Sequence, residues 1–433
     1  MEWANSMVPH ACFFIDSTLR TTLEGLEITA YSSEDERQQH LAQEDLERLW
    51  LNPMDESYIL PCLSVRSGLD LFLAVKNYPP GSEIIMTSIN IPSMVAILRH
   101  HKLKIKSCDM NISTLAPSLS QLEALISPRT VAVLVAHVYG KRFDMQPVVK
   151  ICKKHNLCIL EDCAEAFSGL KYKGHPESDL AFFSFGVIKF ATAFGGSIVK
   201  INNKVLYKEM CALHATYPIQ PHMEYAKKLV KYSIMTSCFN CPAIVRWGVS
   251  AFRMIGIDHK EIFVPMLRGF PTGFFKNIRR RPSTALLNNL VLKLTDFSEN
   301  EILTAKRKGD YLVRQLPKEV TALGQEAVTV NYWLFPILVE QPVQFTQCLF
   351  DFGVDATRGT TQLQMVLSDV GDDKSAQSTP EEWLPHTKFI MDHVVYLPCH
   401  KLVPYSELDK IIVALHRATA KLQCKKLVLP IFP

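Results

Sequence analysis

Short apolar runs alternate with longer mixed segments along residues 60–201 of the chain. The apolar runs predict β-strands at residues 83–86, 103–108, 131–136, 157–161, 180–185 and 197–201. The mixed segments predict helices at residues 67–76, 92–101, 118–126 and 145–155, the first opened by Ser67-Gly68. Apolar strands separated by helices are typical of a mostly parallel sheet that is covered on both faces. This region therefore predicts a three-layer α/β/α domain.

The two ends of the chain show other patterns. Residues 1–60 form a polar lead-in with one predicted helix at 33–50, for which Ser33 is the expected N-cap. Residues 202–280 look mainly helical, and residues 281–433 mix predicted helices (282–297, 301–316, 343–352, 406–422), β-like pieces (328–339) and a polar loop (368–381) that we expect to be mobile. We predict a helical lead-in at 1–60, a large α/β domain at 61–275 with a helical insertion at about 217–273, and a smaller α+β domain at 276–433.

Composition narrows the class of protein. A chain of 433 residues with 48% hydrophobic and 21% charged residues is typical of a soluble globular protein with two or more domains. A net charge of +4 is too small to indicate nucleic-acid binding. Twelve scattered cysteines without a disulfide-like framework, and no signal-peptide pattern after Met1, predict reduced thiols and a cytoplasmic location.

One segment raises the question of membrane contact. Residues 232–245 contain no charged residue, but the stretch is too short to span a bilayer, which needs about 20 apolar residues. With Lys227, Lys228, Lys231, Arg246 and Arg253 in or beside it, the segment could lie in a membrane interface. We favour an amphipathic helix that packs on the protein or on a partner subunit, with membrane contact through 227–257 as the alternative.

The residues with the clearest chemistry lie between 157 and 200. Asp162 follows one predicted strand, Ser184 ends the next, and Lys189 follows in a loop before Gly195-Gly196. Ligands of parallel sheets bind at the carboxyl ends of the strands. A lysine, an acid and a hydroxyl at such an edge suit pyridoxal 5′-phosphate (PLP): Lys189 forms the Schiff base, Asp162 holds the pyridine nitrogen protonated, and Ser184 contacts the phosphate. The apolar neighbours of Lys189 should lower its pKa.

Each of these residues also has a purely structural interpretation. Lys189 alone could extend from a strand end to solvent, and Asp162 alone could cap a turn. Glu161 should be structural because adjacent strand residues point to opposite faces, whereas Glu165 is a plausible second cofactor contact.

Other candidate residues carry weaker signals. The helix predicted at Ser67-Gly68 would present free amides to a phosphate. The basic cluster Arg279–Arg281 fits either an anion site or a solvated charge run. His137 and His400 read as structural, and no histidine spacing indicates a metal site.

Taken together, these residues resemble the DegT/StrS-type nucleotide-sugar aminotransferase family of fold-type-I PLP enzymes. The resemblance spans about residues 64–415. It includes KHNLCILEDCAEA at 154–166, FSFGVIK…GG at 183–196, AHVYGKRFDM at 136–145, CDMN at 108–111, YKG at 172–174, RPSTALLNNLVLKL at 281–294 and YLPCH at 396–400. It implies a PLP-binding homodimer with the active site near the subunit interface.

The resemblance also implies roles for single residues. Lys189 matches the Schiff-base lysine and Asp162 the partner of the pyridine nitrogen. Ser184, Ser67 and Gly68 match the phosphate site. Glu165 stands where the family has a glutamine, and Arg279 falls near an asparagine that reaches the partner's phosphate. The aromatic residue that usually stacks on the pyridine ring is missing from the loop at 86–94, so the stacking must come from Asn90, Ile91 or Pro92, or from elsewhere.

The combined prediction is a PLP-dependent aminotransferase. It would move an amino group from a donor, expected to be glutamate, to a keto acceptor, by resemblance a keto-sugar nucleotide. Arg281 and Arg358 are candidates for binding the donor carboxylate or acceptor phosphates. One alternative is a PLP-dependent dehydratase or lyase, for a lipophilic substrate if the basic apolar stretch contributes. The other is a PLP-binding regulator without turnover, which the missing aromatic suggests.

Overall fold

The computed structural model describes residues 7–12, 14–52, 54–256, 273–359, 362–369 and 383–430. Of the polar loop predicted at 368–381, only Ser368 and Asp369 fall within these ranges. Residues 257–272 of the predicted insertion lie outside the described residues, as do the first six residues of the chain.

The strands form one large sheet, one small sheet and two short ladders. Their bounds are β1 Tyr58–Cys62, β2 Glu83–Thr87, β3 Ile89–Asn90, β4 Lys104–Cys108, β5 Thr130–Ala136, β6 Lys141–Arg142, β7 Cys158–Asp162, β8 Leu180–Ser184, β9 Ser197–Ile201, β10 Thr321–Ala322, β11 Thr329–Val330, β12 Phe335–Leu338, β13 Gln364–Met365 and β14 Val394–Leu397. The large sheet has seven strands in the order β1-β9-β8-β7-β5-β2-β4. Only β9 runs against its neighbours in this sheet, which confirms the predicted mostly parallel arrangement.

The helices connect and cover these sheets. In the described residues they are α1 Leu19–Tyr31, α2 Glu36–Trp50, α3 Val65–Lys76, α4 Pro92–His100, α5 Leu119–Leu125, α6 Gln146–Lys154, α7 Lys204–Ala215, α8 His222–Phe239, α9 Pro242–Met254, α10 Phe274–Ile278, α11 Thr284–Thr295, α12 Glu299–Val313, α13 Pro342–Asp351, α14 Pro385–His393 and α15 Tyr405–Leu422. Most lie within three residues of a predicted helix. Helix α1 was not predicted, because its residues read as part of a polar lead-in.

Both faces of the large sheet are buried. Along β5, Ala132 and Leu134 pack in a cluster with residues of α3 and α4, whereas Val133 and Val135 pack in a cluster with residues of α6. This alternation follows from the two-residue period of a strand. The sheet therefore lies between two helical layers, as the α/β/α prediction requires.

Two predicted helix starts are wrong, and in each case a nearby polar side chain caps the helix instead. Helix α3 begins at Val65 rather than at Ser67-Gly68, because the Ser64 hydroxyl accepts the Ser67 N–H at 3.2 Å. Helix α2 begins at Glu36, because Asp35 rather than Ser33 accepts the Arg37 N–H at 3.2 Å. Ser67 and Gly68 therefore lie inside the first turn of α3 and do not open it.

The small antiparallel sheet β10-β12-β14 packs with α12, α13 and α15 around a separate apolar cluster. Helix α11, by contrast, contacts α1, α2 and α8. The domain boundary at 275/276 stays a prediction, and α11 lies with the N-terminal helices rather than on the small sheet.

The N-terminal segment joins the two cores. The Val8 N–H donates to the Gly353 carbonyl at 2.8 Å, and the Cys12 thiol donates to the Tyr396 carbonyl at 3.1 Å. A few residues later, Phe14 and Ile15 pack in the largest cluster, beside the helices of the lead-in. Residues 7–12, 14 and 15 are thus mostly buried structural chain.

A second link between the cores depends on a glycine. Strand β11 pairs with β6, and the Asn331 side chain then fills the space beside Gly140. Gly140 has a φ of +73°, and a Cβ there would lie 2.0 Å from Asn331 Oδ1. The Asn331 amide also donates to the Phe167 carbonyl at 2.9 Å. Residues 329–333 are therefore fixed against the large sheet's domain.

We expect Gly140→Ala to destabilise the protein more than Gly81→Ala does. Both glycines have positive φ, at +73° and +85°, but a Cβ at Gly81 would meet nothing within 4 Å. The left-handed conformation alone costs about 1–2 kcal/mol, and the clash at Gly140 should add about 1–3 kcal/mol. Urea unfolding of the two variants measures this difference in the free energy of unfolding. Equal losses of unfolding free energy in the two variants would show that the position of Asn331 does not require a residue without a side chain at position 140.

Candidate active site

Three neighbouring strands bring polar residues to one edge of the large sheet. Strands β5, β7 and β8 run parallel, so their carboxyl ends meet there. Asp162 is the last residue of β7 and Ser184 the last residue of β8. The His137 N–H, just after β5, donates to the Asp162 carbonyl at 2.9 Å. This is the edge at which open α/β sheets bind ligands.

Lys189 lies in a constrained loop between β8 and β9. The Thr192 hydroxyl donates to the Gly186 carbonyl at 2.7 Å and closes the loop. From outside, Asp16 Oδ2 of the N-terminal segment accepts the Ala191 N–H at 2.8 Å. Ala191 has a φ of +51°, a strained conformation for a residue with a side chain. The loop thus holds Lys189 in place through contacts at both of its ends.

The Lys189 amine sits between an acid and an aromatic ring. Its Nζ lies 3.3 Å from Glu165 Oε1 and 3.6 Å from the centre of the Trp333 ring. Burial lowers the pKa of Lys189, against the raising effects of Glu165 and then Asp162. The direction of this shift agrees with the prediction from the apolar neighbours of the lysine.

Glu165 is itself fixed by the backbone. Its second oxygen, Oε2, accepts the Tyr139 N–H at 2.9 Å. Tyr139 has a φ of +61° and directly precedes Gly140, so the turn after β5 orients the carboxylate toward the lysine. The structure thus brings Glu165 and Lys189 together, whereas the predicted contact of Glu165 with the cofactor stays a prediction.

Asp162 and Glu161 face different surroundings although they are neighbours. Asp162 is 7% exposed, and burial raises its pKa to about 6. Its Oδ1 accepts the Ala164 N–H at 2.9 Å, and among the described residues Oδ2 accepts no hydrogen bond. Asp162 therefore has one oxygen free for another partner.

Glu161 points to the opposite face of the sheet. It accepts hydrogen bonds from His137 at 3.0 Å and from Ser178 at 2.9 Å, and also from the Tyr172 hydroxyl. Although burial would raise its pKa, these hydrogen bonds lower it to about 2. Glu161 and His137 thus form a buried structural pair, as expected for both.

Trp333 is an aromatic residue beside Lys189 that the sequence analysis did not predict. Its indole N–H donates to the Ile188 carbonyl at 2.5 Å, beside the lysine. Its backbone N–H donates to Asn331 Oδ1 at 2.9 Å, so the contact at Gly140 also places the indole. Trp333 reaches the site through the β6–β11 pairing, and no local motif marks it.

Two further cations lie beside this site. Arg66 is in the first turn of α3, and the Lys228 amine of α8 lies 3.2 Å from the position that a Cβ of Gly195 would take. Burial and then the charge of Arg66 lower the pKa of Lys228 to about 8. Arg66 also lowers the pKa of Lys189. Neither Arg66 nor Lys228 was predicted from the sequence.

Ser184, Ser67 and Gly68 were predicted to contact a phosphate. In this chain their polar groups already have hydrogen-bonding partners. Ser184 is half-buried at the end of β8, and its hydroxyl accepts the Gly186 N–H at 3.4 Å. The Ser67 hydroxyl lies 3.0 Å from that of Ser64, and the Gly68 N–H donates to the Ser64 carbonyl. A Cβ at Gly68 would lie 2.5 Å from Val199 Cγ2, so this glycine lets α3 pack closely on β9.

Asn90 has no contact with the lysine among the described residues. It pairs with Gln364 in the β3–β13 ladder, and its Oδ1 accepts the Ile91 N–H at 2.8 Å. Its buried Nδ2 makes no hydrogen bond in the described part of the chain. Stacking of this loop on a pyridine ring stays a prediction, and the aromatic ring beside Lys189 Nζ is that of Trp333.

The predicted arginines are engaged elsewhere in this chain. Arg279 Nε and Nη2 contact the Asp70 carboxylate at 2.8 and 3.0 Å, which ties the segment after α10 to α3. Arg281 donates to the Tyr217 carbonyl at 3.0 Å, and Arg358 to the Asp392 carbonyl at 2.8 Å. These contacts are structural, and they do not bring the three arginines to Lys189.

Comparison with known proteins shows similarities in sequence over part of the chain. Residues 41–235 match the model of the DegT/DnrJ/EryC1/StrS aminotransferase family. The chain is 29% identical over 185 residues to GDP-perosamine synthase of Escherichia coli O157:H7, which is 41% of this chain and 50% of that enzyme. The chain thus spans about half the length of the relatives that it matches in sequence.

Solved structures extend the likeness of the fold to nearly the whole chain. The aminotransferase TlmJ from Streptoalloteichus hindustanus superimposes with a TM-score of 0.68 at 15% identity, over 95% of this chain and 99% of that one. The E. coli GDP-4-keto-6-deoxy-D-mannose-3-dehydratase gives a TM-score of 0.64 at 12% identity, over 93% and 99%. At such identities the likeness shows the fold alone, and it confirms the predicted fold type I.

The resemblance inferred from the motifs at 154–166 and 183–196 is therefore confirmed by an independent match that contains both. Residues 41–235, a little under half of the chain, are thus similar to the DegT/DnrJ/EryC1/StrS aminotransferase family.

Proposed function

We propose that this protein is a PLP-dependent aminotransferase with Lys189 as its catalytic residue. The observation that carries the proposal is the buried Lys189 amine at the carboxyl edge of the sheet, held 3.3 Å from Glu165. A lysine with a lowered pKa, an acid within hydrogen-bonding reach and a neighbouring buried aspartate form a set of groups suited to amine chemistry.

The surrounding groups fit the charge pattern of PLP. Asp162 offers a free oxygen at one end of the site, where a protonated pyridine nitrogen could donate. At another part of the site, Arg66 and Lys228 bring two positive charges to the N-terminus of α3, which suits a phosphate dianion. The hydroxyl of Ser184 adds a neutral donor. The acidic Asp162 and the basic Arg66 and Lys228 thus match a ligand with a cationic ring and an anionic phosphate.

Each residue then has a defined task. PLP, when bound, supplies an electron sink that stabilises negative charge at the substrate carbon that loses its proton. Lys189 would hold PLP through its Nζ. The same Nζ, placed by Glu165, would take a proton from the substrate α-carbon and return one. The Trp333 ring covers Nζ and excludes water from one side.

The substrate class rests on the relatives rather than on the geometry. The name of the E. coli relative, GDP-perosamine synthase, supports a sugar nucleotide as the substrate class, and we propose a keto-sugar nucleotide as the acceptor with glutamate as the donor. We propose a homodimer with the site near the subunit interface, in which Arg279 could serve the partner's phosphate only by leaving Asp70. Twelve free cysteines support a cytoplasmic location.

Wild-type protein loaded with PLP should release about one equivalent of 2-oxoglutarate per bound cofactor when glutamate is added without an acceptor. Lys189→Ala should release less than about a hundredth as fast, because no amine is left to move the proton. An enzymatic assay for 2-oxoglutarate after rapid mixing measures its release by the wild type and by the variant.

The same assay separates the alternatives. A dehydratase, the activity named for one structure of this fold, would act on a keto-sugar nucleotide without first converting glutamate. A regulator that binds PLP without turnover would release no 2-oxoglutarate with any amino donor. Release at the wild-type rate from Lys189→Ala would contradict the role assigned to that lysine.

Arg66→Met and Lys228→Met should each weaken PLP binding by roughly tenfold or more, because a charge-assisted contact to phosphate is lost. Binding of pyridoxal, which lacks the phosphate, should stay unchanged. Titration of the apo-protein, followed by absorbance, gives both affinities. Lys227→Met is the matched control, since Lys227 is the exposed neighbour of Lys228 on α8.

This preference for PLP over pyridoxal should also depend on pH. The pKa of Lys228 is lowered to about 8, so its charge is present below that pH and is lost above it. The preference should therefore fall as the pH rises above about 8 in the wild type, and this fall should be absent in Lys228→Met. Equal losses for both ligands in the variants would place the phosphate elsewhere.

A further inference from the structure

Helices α8 and α9 follow each other on the surface and contact one another. The inner face of α8 is part of the core, where Tyr225, Leu229 and Tyr232 are buried. Its outer face carries the apolar side chains of Met223, Val230 and Ile234, which are exposed by 61%, 46% and 62%. Three apolar side chains at helical spacing on the solvent side of one helix call for a partner.

Helix α9 repeats this arrangement over its whole length. Ile244, Trp247, Ala251 and Met254 are all exposed, and Trp247 and Met254 are exposed by 62% and 81%. Their spacing of three, four and three residues places them in one stripe along the helix. Val249 is buried on the opposite side, and Ser250 is buried at the edge of the stripe. The helix is therefore amphipathic, with its larger apolar face turned outward.

The charges in this segment have a single sign. Between Glu224 and Asp258 the sequence has five lysines and arginines and no aspartate or glutamate. Lys227 and Lys231 are exposed on the outer side of α8, next to Val230 and Ile234. On α9, Arg253 turns away from the apolar stripe and lies 3.6 Å from Asp351 of α13. An apolar surface bordered by lysines is complementary to an apolar, negatively charged partner.

This charge pattern favours lipid over a second copy of the chain. A symmetric contact through the outer face of α8 would bring Lys227 and Lys231 toward the same lysines of the other copy, where like charges repel. Among the described helices, none is long and apolar enough to cross a bilayer. Amphipathic helices with basic residues and an exposed tryptophan are typical of segments that lie in the headgroup region.

We propose that the outer faces of α8 and α9 bind the surface of an anionic lipid membrane. The apolar stripes insert among the headgroups, and Lys227 and Lys231 contact acidic lipids. Residues of the Lys189 site are not part of this surface, so the inference is independent of the proposed aminotransferase activity. It takes the alternative of membrane contact through 227–257 in place of the favoured packing on the protein or on a partner subunit.

The test is co-sedimentation of the full chain with vesicles. Vesicles of phosphatidylcholine with about one third phosphatidylserine should bind the protein at low salt, and pure phosphatidylcholine should bind it far less. Trp247→Glu should abolish sedimentation. Lys227→Ala and Lys231→Ala should weaken binding by about fivefold each and make it less sensitive to salt.

Val343→Glu is the matched control, because Val343 is 63% exposed and lies at the opposite end of α13 from Asp351, the residue that Arg253 of α9 contacts. It should sediment like the wild type, and thermal unfolding should show that all variants fold. Wild-type protein that stays in solution with anionic vesicles would overturn the proposal. So would a Trp247→Glu variant that sediments normally, or one whose only change is a smaller oligomer on gel filtration, which would assign the surface to a second copy.

Discussion

The ionic contact between Lys189 and Glu165 is the constraint on which the site depends. An amine removed from water at the edge of a sheet is stable as a cation only if an acid lies nearby. Glu165 provides that acid at 3.3 Å, and Tyr139 fixes it through a backbone N–H. Burial still lowers the pKa of the lysine, so the contact holds the amine in place without fully offsetting its tendency to lose a proton.

Acidic and basic side chains lie in different parts of the candidate active site. Asp162 and Glu165 bring acid to the lysine, whereas Arg66 and Lys228 bring two cations, of which Arg66 lowers the affinity of Lys228 for protons. The separation is therefore the physical basis for proposing a ligand with a positive ring and a negative phosphate.

Sequence patterns predicted the features that depend on residues close to one another in the chain. The parallel strands, Asp162 and Ser184 at their carboxyl ends, and Lys189 in the following loop all follow from apolar runs and from the spacing of nearby residues. The helix start at Val65 was missed because Ser64 and Ser67 are both plausible caps, and only the folded backbone decides between them. Trp333, Arg66 and Lys228 were missed because the β6–β11 ladder and the packing of α3 and α8 bring them to the lysine. The role of Arg279 toward a partner's phosphate stays a prediction, and within this chain Arg279 donates to Asp70.

The most direct measurement is the site of covalent attachment of PLP. The protein contains other lysines with a lowered pKa, namely Lys141 at about 7 and Lys228 and Lys293 at about 8. A low pKa alone would thus not single out Lys189. If PLP is added to the protein, trapped with borohydride and located by peptide mass, the structure predicts one label per chain, on Lys189. A label on Lys141, Lys228 or Lys293, or one spread over surface lysines, would contradict the account.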